Sequence, residues 1–377
     1  MRAGLNQTPQ PDEVLNPAFD EQESRFARAF ALIREAVQQR AFPGAALAVT
    51  HRGALIVSEG FGHFTYDSTS PEVHADTIFD LASVTKVVAT TAMAMILHER
   101  GILHLESPVA TVLPEFASRA PREQRADREV VTVRMLLAHS SGLPAYVKLF
   151  GTARTRDELV RSAMATPLVA APGSKGDYSD VGFILLGEFL AHLGAAPLDV
   201  FAQKEVFAPL GMTRTCFNPP EEWKSGIPPT EDDRTFRHRV VQGQVNDENA
   251  WVMGGIAGHA GLFAPAIDVA RFAECMLRGE SPILKPATVE LFTRREALPV
   301  GTCRALGWDT PSQSSSSGAY FSPRSFGHLG YTGTSLWIDP DRQLSMTLLT
   351  NRTWPDRCSR AIRQVRPLVH DAIVEAL

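Results

Sequence analysis

No apolar run in this 377-residue chain reaches the ~20 residues needed to cross a bilayer, so no membrane span is expected. The opening stretch, MRAGLNQTPQPDEVLNPAFD, has no apolar core of a secretory signal. The expectation is a cytoplasmic protein, or a periplasmic or secreted one whose leader has been removed. Positive charge is not in excess. The net charge is −5, which leaves no basic footprint for nucleic acid. Cysteine is scarce. Cys216, Cys275, Cys303 and Cys358 are scattered without metal-ligand spacing and predict buried thiols in a reducing compartment. Also missing are a G-x-S-x-G elbow, a phosphate loop, a dinucleotide fingerprint, an H-E-x-x-H zinc helix and any internal repeat. The chain therefore calls for no cofactor and no metal. Its oligomeric state leaves no trace in the sequence.

What is present is an ordinary globular composition, 44% apolar and 21% charged, long enough for one or two domains with a large core. One stretch stands out, FDLASVTKVVATTAMAMILHERG, and within it Ser83-Val84-Thr85-Lys86. The apolar run from Val87 to Leu97 predicts a buried helix that stops at Gly101. Ser83 would sit at its start, where free backbone N–H groups and the helix dipole favour an oxyanion. Lys86, three residues on, would lie one turn below and reach the hydroxyl. Burial disfavours an ammonium, so such a lysine can take the serine proton. Nucleophile, base and oxyanion donor then fall within four residues. S-x-x-K is a short motif, and the same residues also fit an N-cap followed by a solvated lysine.

Along the chain, residues 1–21 are polar and Pro-rich and predict a loose tail. Phe26, Phe30, Ile33 and Val37 recur at helical spacing up to Pro43-Gly44. AALAVT and ALIVSEG flank His51-Arg52-Gly53 as a hairpin, and TSLWID and LSMTLLT flank Pro340-Asp341 as another. A last helix runs from about Asp356 to the end, with Pro367 as a kink. VTVRMLLAHSSGLP and GFILLGEFLAHLG are helical, and SQSSSSG is a Ser-rich loop. The expected organisation is a sheet domain from 22–80 and 255–377, with a mostly helical domain over 81–254 between its halves.

LASVTK, VTVRMLLAHSSGLP, PGSKGDYSDVGFILLGEFL, VFAPLGMTRT, GWDT and FGHLGYTGTSLWIDP occur in that order. Together they resemble the serine β-lactamase and penicillin-binding-protein superfamily, on its class C, peptidase and esterase side, from about residue 24 to the end. The resemblance implies an α/β (α+β) fold: a five-stranded-type antiparallel sheet flanked by helices, an all-helical second domain, and the active site between them. It implies that Ser83 is the nucleophile and Lys86 the motif lysine. Tyr178-Ser179-Asp180 matches the family's Tyr-x-Asn, with Tyr178 in proton transfer; taken alone, Tyr178 is also a plain loop tyrosine. His328-Leu329-Gly330 falls on the family's Lys-Thr-Gly, and the backbone N–H of the next residue, Tyr331, would form the oxyanion hole with that of Ser83. His328 could equally be an edge-strand histidine without a role. VNDENAWVMGGIAGHAGLF resembles a segment of relatives that act as esterases or muramyl-L-alanine amidases. His259 and Asp247 could line the substrate side there, or the stretch could be a glycine-rich packing turn.

Two departures from the pattern bear on substrate. Asp180 replaces an amide; an ionised carboxylate cannot donate, but it can pair with Lys86 and shift base work to Tyr178. His328-Leu329 replaces a cation and a hydroxyl, the groups with which the family grips a penicillin or D-alanine carboxylate. The reading that follows is a serine hydrolase of a small ester, amide or muropeptide through an acyl-serine, and a poor β-lactamase. A β-lactamase or D-alanyl-D-alanine carboxypeptidase is the alternative, and a non-catalytic penicillin or muropeptide sensor a further one.

Overall fold

The computed structural model describes residues 15–377 apart from residues 280 and 314. The central sheet has six strands: β1 (Asn16–Pro17), β2 (Gly44–His51), β3 (Ala54–Gly62) and, far along the chain, β9 (Phe326–Leu329), β10 (Ser335–Asp339) and β11 (Leu344–Thr350). Their order is β1-β3-β2-β11-β10-β9. Both expected hairpins are there. Arg52 and Gly53 take φ 51° and 82°, the two positive values that match a tight turn to the twist of β2 and β3.

Alternation decides which face each side chain covers. Leu47, Val49, Trp337, Met346 and Leu348 point to one side, where helices Ala27–Gln38 and Ile362–Glu375 cover them with Phe30, Ile33, Val369 and Ile373. Ala46, Ala48, Leu336, Ile338 and Leu349 point to the other, into a core shared with helix Ala266–Leu277 and the middle of the chain. The C-terminal helix begins at Ile362, later than the sequence pattern suggests, and holds Pro367 inside it.

The tail expected over 1–21 is only partly open to view, since residues 1–14 lie outside the described residues. Residues 15–17 correct it. Leu15 is buried, and Asn16–Pro17 pair in parallel with Ala54–Leu55. One buried leucine anchors the segment, and a short parallel strand joins the five antiparallel ones. Short strands also lie within or beside the mostly helical stretch expected over 81–254. Strands β4 (Ile78–Asp80), β5 (Cys216–Phe217) and β8 (Leu262–Pro265) form a three-stranded sheet, and β6 (Glu231–Asp233) pairs with β7 (Arg239–Val241). No single described helix is long and apolar enough to cross a membrane.

The Ser83 stretch is buried and helical, but it is not one regular α-helix. A 3-10 turn at Ala82–Val84 leads into π-helix Lys86–Thr91 and then α-helix Ala92–Glu99. Tertiary hydrogen bonds accompany the irregular start. Thr85 Oγ1 accepts from the Leu262 N–H at 3.1 Å, and Thr90 Oγ1 donates to the Gly258 carbonyl at 2.7 Å. Such wide turns cluster at functional sites.

Candidate active site

Ser83 leaves strand β4 through Ala82, whose φ of 47° turns the chain sharply. Asp80 holds this turn. One carboxylate oxygen accepts from the Ala82 N–H at 2.8 Å and the other from the Asn246 N–H at 2.7 Å. Burial pushes the Asp80 pKa up to about 6, against these two hydrogen bonds. The end of β9 is stitched to the same turn. Thr332 and Thr334 hydroxyls donate to the Asp80 and Leu81 carbonyls, each at 2.8 Å. Gly330 is required here, since a Cβ would lie 2.5 Å from the Leu81 carbonyl oxygen.

Tyr178 arrives from the other side. Ser179 caps helix Asp180–Leu193, its hydroxyl accepting from the Gly182 N–H at 3.0 Å. The Ser179 N–H donates to His139 Nδ1 at 3.0 Å, and the His139 ring packs on Tyr178 with centroids 4.8 Å apart. His139 is held well below its usual pKa by burial and then by the positive charges of Arg304 and Lys86. It is a neutral support for the Tyr178 loop.

Lys86 joins the two sides. Its ammonium nitrogen lies 3.0 Å from Ser83 Oγ, 2.6 Å from Tyr178 Oη, 2.6 Å from Asp180 Oδ1 and 3.0 Å from the His259 carbonyl oxygen. The Tyr178 hydroxyl closes the triangle, 2.8 Å from Ser83 Oγ. An ammonium carries three protons, so these four contacts cannot all be Lys86 donations at once. Burial lowers the Lys86 pKa, while Asp180 opposes by charge and hydrogen bond. Tyr178 is pushed well above the usual phenol range, by burial first and then by Asp180. The phenol therefore keeps its proton near neutral pH.

The remaining expected residues divide. His328, on edge strand β9, is buried, and its Nδ1 lies 2.8 Å from the Leu329 carbonyl. Burial, then Lys86 and Arg304, push its pKa down to about 3, so position 328 carries no charge near neutral pH. Tyr331 is half exposed, with the Arg352 guanidinium 4.5 Å from its ring centroid. His259 is 1% exposed, so it lies beneath Lys86 and offers its carbonyl rather than its ring. Its Nε2 lies 2.8 Å from Asp247 Oδ1. Burial would raise Asp247, but His259, the Ala250 N–H and Lys86 outweigh it and hold the pKa at about 2. The glycine-rich stretch packs tightly on helix Asp180–Leu193: a Cβ on Gly258 would lie 2.1 Å from the Phe183 carbonyl oxygen.

Three residues around the triangle were not singled out by sequence reasoning: Asp80, His139 and Arg304. Each lies in or beside a stretch that was, in FDLASVTK, in AHSSGLP and just before GWDT. Nothing local marked them, because their partners are distant in sequence. Among the described residues, no cluster of His, Cys, Asp and Glu could hold a metal ion.

With this geometry in view, the likeness to known proteins is direct. The β-lactamase family model matches residues 29–368. The chain belongs to the β-lactamase family. An N-acetylmuramyl-L-alanine amidase of Bacillus subtilis (strain 168) is 31% identical, over 82% of this chain and 77% of that one. A protein of Escherichia coli (strain K12), provisionally named a D-alanyl-D-alanine carboxypeptidase, is 33% identical over 73% of this chain and 69% of its own length. Two solved structures share the fold. EstCE1, a hydrolase with promiscuous acyltransferase activity, gives a TM-score of 0.76 at 22% identity, covering 93% of this chain and 99% of its own. The octameric penicillin-binding protein homologue from Pyrococcus abyssi gives 0.72 at 21%, covering 93% and 77%. This β-lactamase-family chain is a serine hydrolase with the β-lactamase/transpeptidase-like fold.

Proposed function

We propose that Ser83 attacks a carboxyl ester or amide of the peptidoglycan-fragment class and is acylated by it. The observation that carries this reading is the closed triangle of Ser83, Lys86 and Tyr178, with edges of 3.0, 2.6 and 2.8 Å. Lys86, whose charge burial disfavours, takes the Ser83 proton as the Oγ–carbon bond forms. The backbone N–H groups of Ser83 and Tyr331 hold the oxyanion. Tyr178, still protonated, gives its proton to the leaving group and regains one from Lys86. Water then attacks the acyl-serine; one of its protons passes through Lys86 and Tyr178 to Ser83 Oγ as the Oγ–acyl bond breaks, and the acid is released. Asp180 steadies the charged form of Lys86 between steps, while His259 and Asp247 brace Lys86 from below.

The substrate class is supported by the relatives named as a muramyl amidase and a D-alanyl-D-alanine carboxypeptidase, and the ester option by the family motif. Poor β-lactamase activity follows from the uncharged His328 and from Asp180, whose carboxylate cannot donate to a substrate amide carbonyl. The test is a hydrolysis panel of p-nitrophenyl esters, muropeptides and nitrocefin, with fluorophosphonate labelling read by intact mass. Ser83 should take one label, and esters or muropeptides should be turned over faster than nitrocefin. A protein that neither labels at Ser83 nor hydrolyses any panel member would overturn the reading. Nitrocefin as the best substrate would move it to a β-lactamase.

A further inference from the structure

An oxyanion donor must point at the reacting oxygen and must not be spent elsewhere. The Tyr331 N–H meets the second condition, since it donates to no acceptor among the described residues. It lies in turn 330–334, between β9 and β10. Gly330 and Gly333 both belong to this turn, and Gly333 takes φ 98°. Two glycines leave a short segment many conformations, so its aim has to be set from outside.

The carbonyls of the turn show what sets it. The Gly330 carbonyl accepts from the Gly333 N–H at 3.0 Å, inside the turn. The next two carbonyls accept from a single residue beyond it. Arg352 Nε donates to the Tyr331 carbonyl at 2.7 Å, and the Arg352 N–H donates to the Thr332 carbonyl at 2.9 Å. Peptide units are planar, so holding the units on both sides of Tyr331 fixes its two soft dihedrals and the direction of its N–H. The Arg352 stem also crosses the turn: a Cβ on Gly333 would lie 2.6 Å from Arg352 Cγ.

Arg352 is anchored at both ends. Before it, Asn351 Nδ2 donates to the Phe64 and Pro229 carbonyls at 2.8 and 2.9 Å. At its tip, Nη1 donates to the Ser359 carbonyl at 2.9 Å. Among the described residues its guanidinium bonds go to backbone carbonyls, and no carboxylate pairs with it. A guanidinium used in this way is a brace of several fixed donors.

We propose that Arg352 is a positioning residue of the oxyanion hole, which aims the Tyr331 N–H by clamping the two carbonyls that follow it. This rests on the serine hydrolase reading, with the Ser83 and Tyr331 N–H groups as the oxyanion donors.

The test compares wild type, Arg352→Met and Arg352→Lys with p-nitrophenyl butyrate as substrate and phenylboronic acid as inhibitor. The boronic acid adds to Ser83 Oγ as a tetrahedral anion and so imitates the transition state. In Arg352→Met, kcat should fall about ten- to a hundredfold with KM nearly unchanged, the scale expected of a misplaced oxyanion donor. The inhibition constant of phenylboronic acid should rise by the same factor as kcat/KM falls. Arg352→Lys keeps a donor but not the fixed set, and should recover part of both; it carries the comparison if the methionine variant does not fold. A raised KM with unchanged kcat would mean that Arg352 touches substrate, and would overturn the proposal. So would a lowered melting temperature with unchanged kcat and unchanged boronate inhibition, which would make Arg352 a packing residue only. A wild type that hydrolyses the ester but resists the boronate overturns the proposal and leaves the hydrolase reading standing. If wild type turns over no ester, while the boronate binds it and binds both variants more weakly, the role of Arg352 stands and the hydrolase reading is the one that fails.

Discussion

Lys86 shows how much of this site depends on burial. The side chain is fully enclosed, and desolvation works against its charge while Asp180, at 2.6 Å, works for it. A lysine balanced in this way can accept the Ser83 proton and return it. Removing Ser83 takes away the nucleophile outright. Ser83→Ala should fold normally and lose turnover on the order of a million-fold, the scale seen when such a unit loses its nucleophile. Tyr178→Phe keeps the ring against His139 and removes only the hydroxyl. Ester turnover should fall about a hundred- to ten-thousandfold, with little change in melting temperature. A small activity loss in step with a lowered melting temperature would make Tyr178 a packing residue instead.

At the scale of elements, the nucleophile turn is tied to three others. Asp80 joins it to the segment before Asp247, the two threonines join it to the end of β9, and Thr85 and Thr90 join the following helix to the Gly258–Leu262 stretch. Asp80→Asn is the sharpest probe of this lattice. The amide can accept from only one of the two backbone N–H groups and sets its own NH2 against the other. A buried donor left unpaired costs about 1–3 kcal/mol. The expected result is a melting temperature lowered by several degrees together with slower fluorophosphonate labelling of Ser83. If labelling keeps its wild-type rate, Asp80 does not place the nucleophile. The element scale is also where local pattern and structure part. Periodicity found the buried run after Ser83, but not its 3-10 and then π winding, which is accompanied by bonds to residues about 170 positions away.

For the whole molecule, acid stability is the measurable consequence of burying neutral histidines. His328 and His370 are both buried, and burial followed by nearby positive charge pushes each pKa down to about 3 from 6.5. The unfolded chain binds these protons first. Their contribution to stability is therefore fully present above about pH 6.5 and is lost as pH falls toward 3. His370 stands behind the sheet, its ring 5.7 Å from that of Phe321 and far from the chemistry in role. Replacing it by phenylalanine should flatten the fall in melting temperature between pH 6.5 and 3 relative to wild type. Parallel curves for the two proteins would show that His370 does not drive acid unfolding.

Much of the architecture was legible in local pattern. Hairpins declared themselves by alternation around short turns, the outer helices by apolar residues three and four apart, and the nucleophile stretch by an uninterrupted apolar run after Ser83-Val84-Thr85-Lys86. These signals act over a few residues, so a single sequence carries them. The pairing of β1 was not legible, because two residues have no periodicity and one buried leucine anchors them. Nor did local periodicity reach the partners of Lys86, which lie 92, 94 and 173 positions away at Tyr178, Asp180 and His259. Motif resemblance pointed to Tyr178 and Asp180, but only folding set their distances and the competing effects of burial and charge on Lys86. Asp80, His139 and Arg304 lay wholly with the tertiary structure. An aspartate, a histidine and an arginine are common on any surface, and each became part of the site's surroundings only when distant backbone closed over it and removed the water.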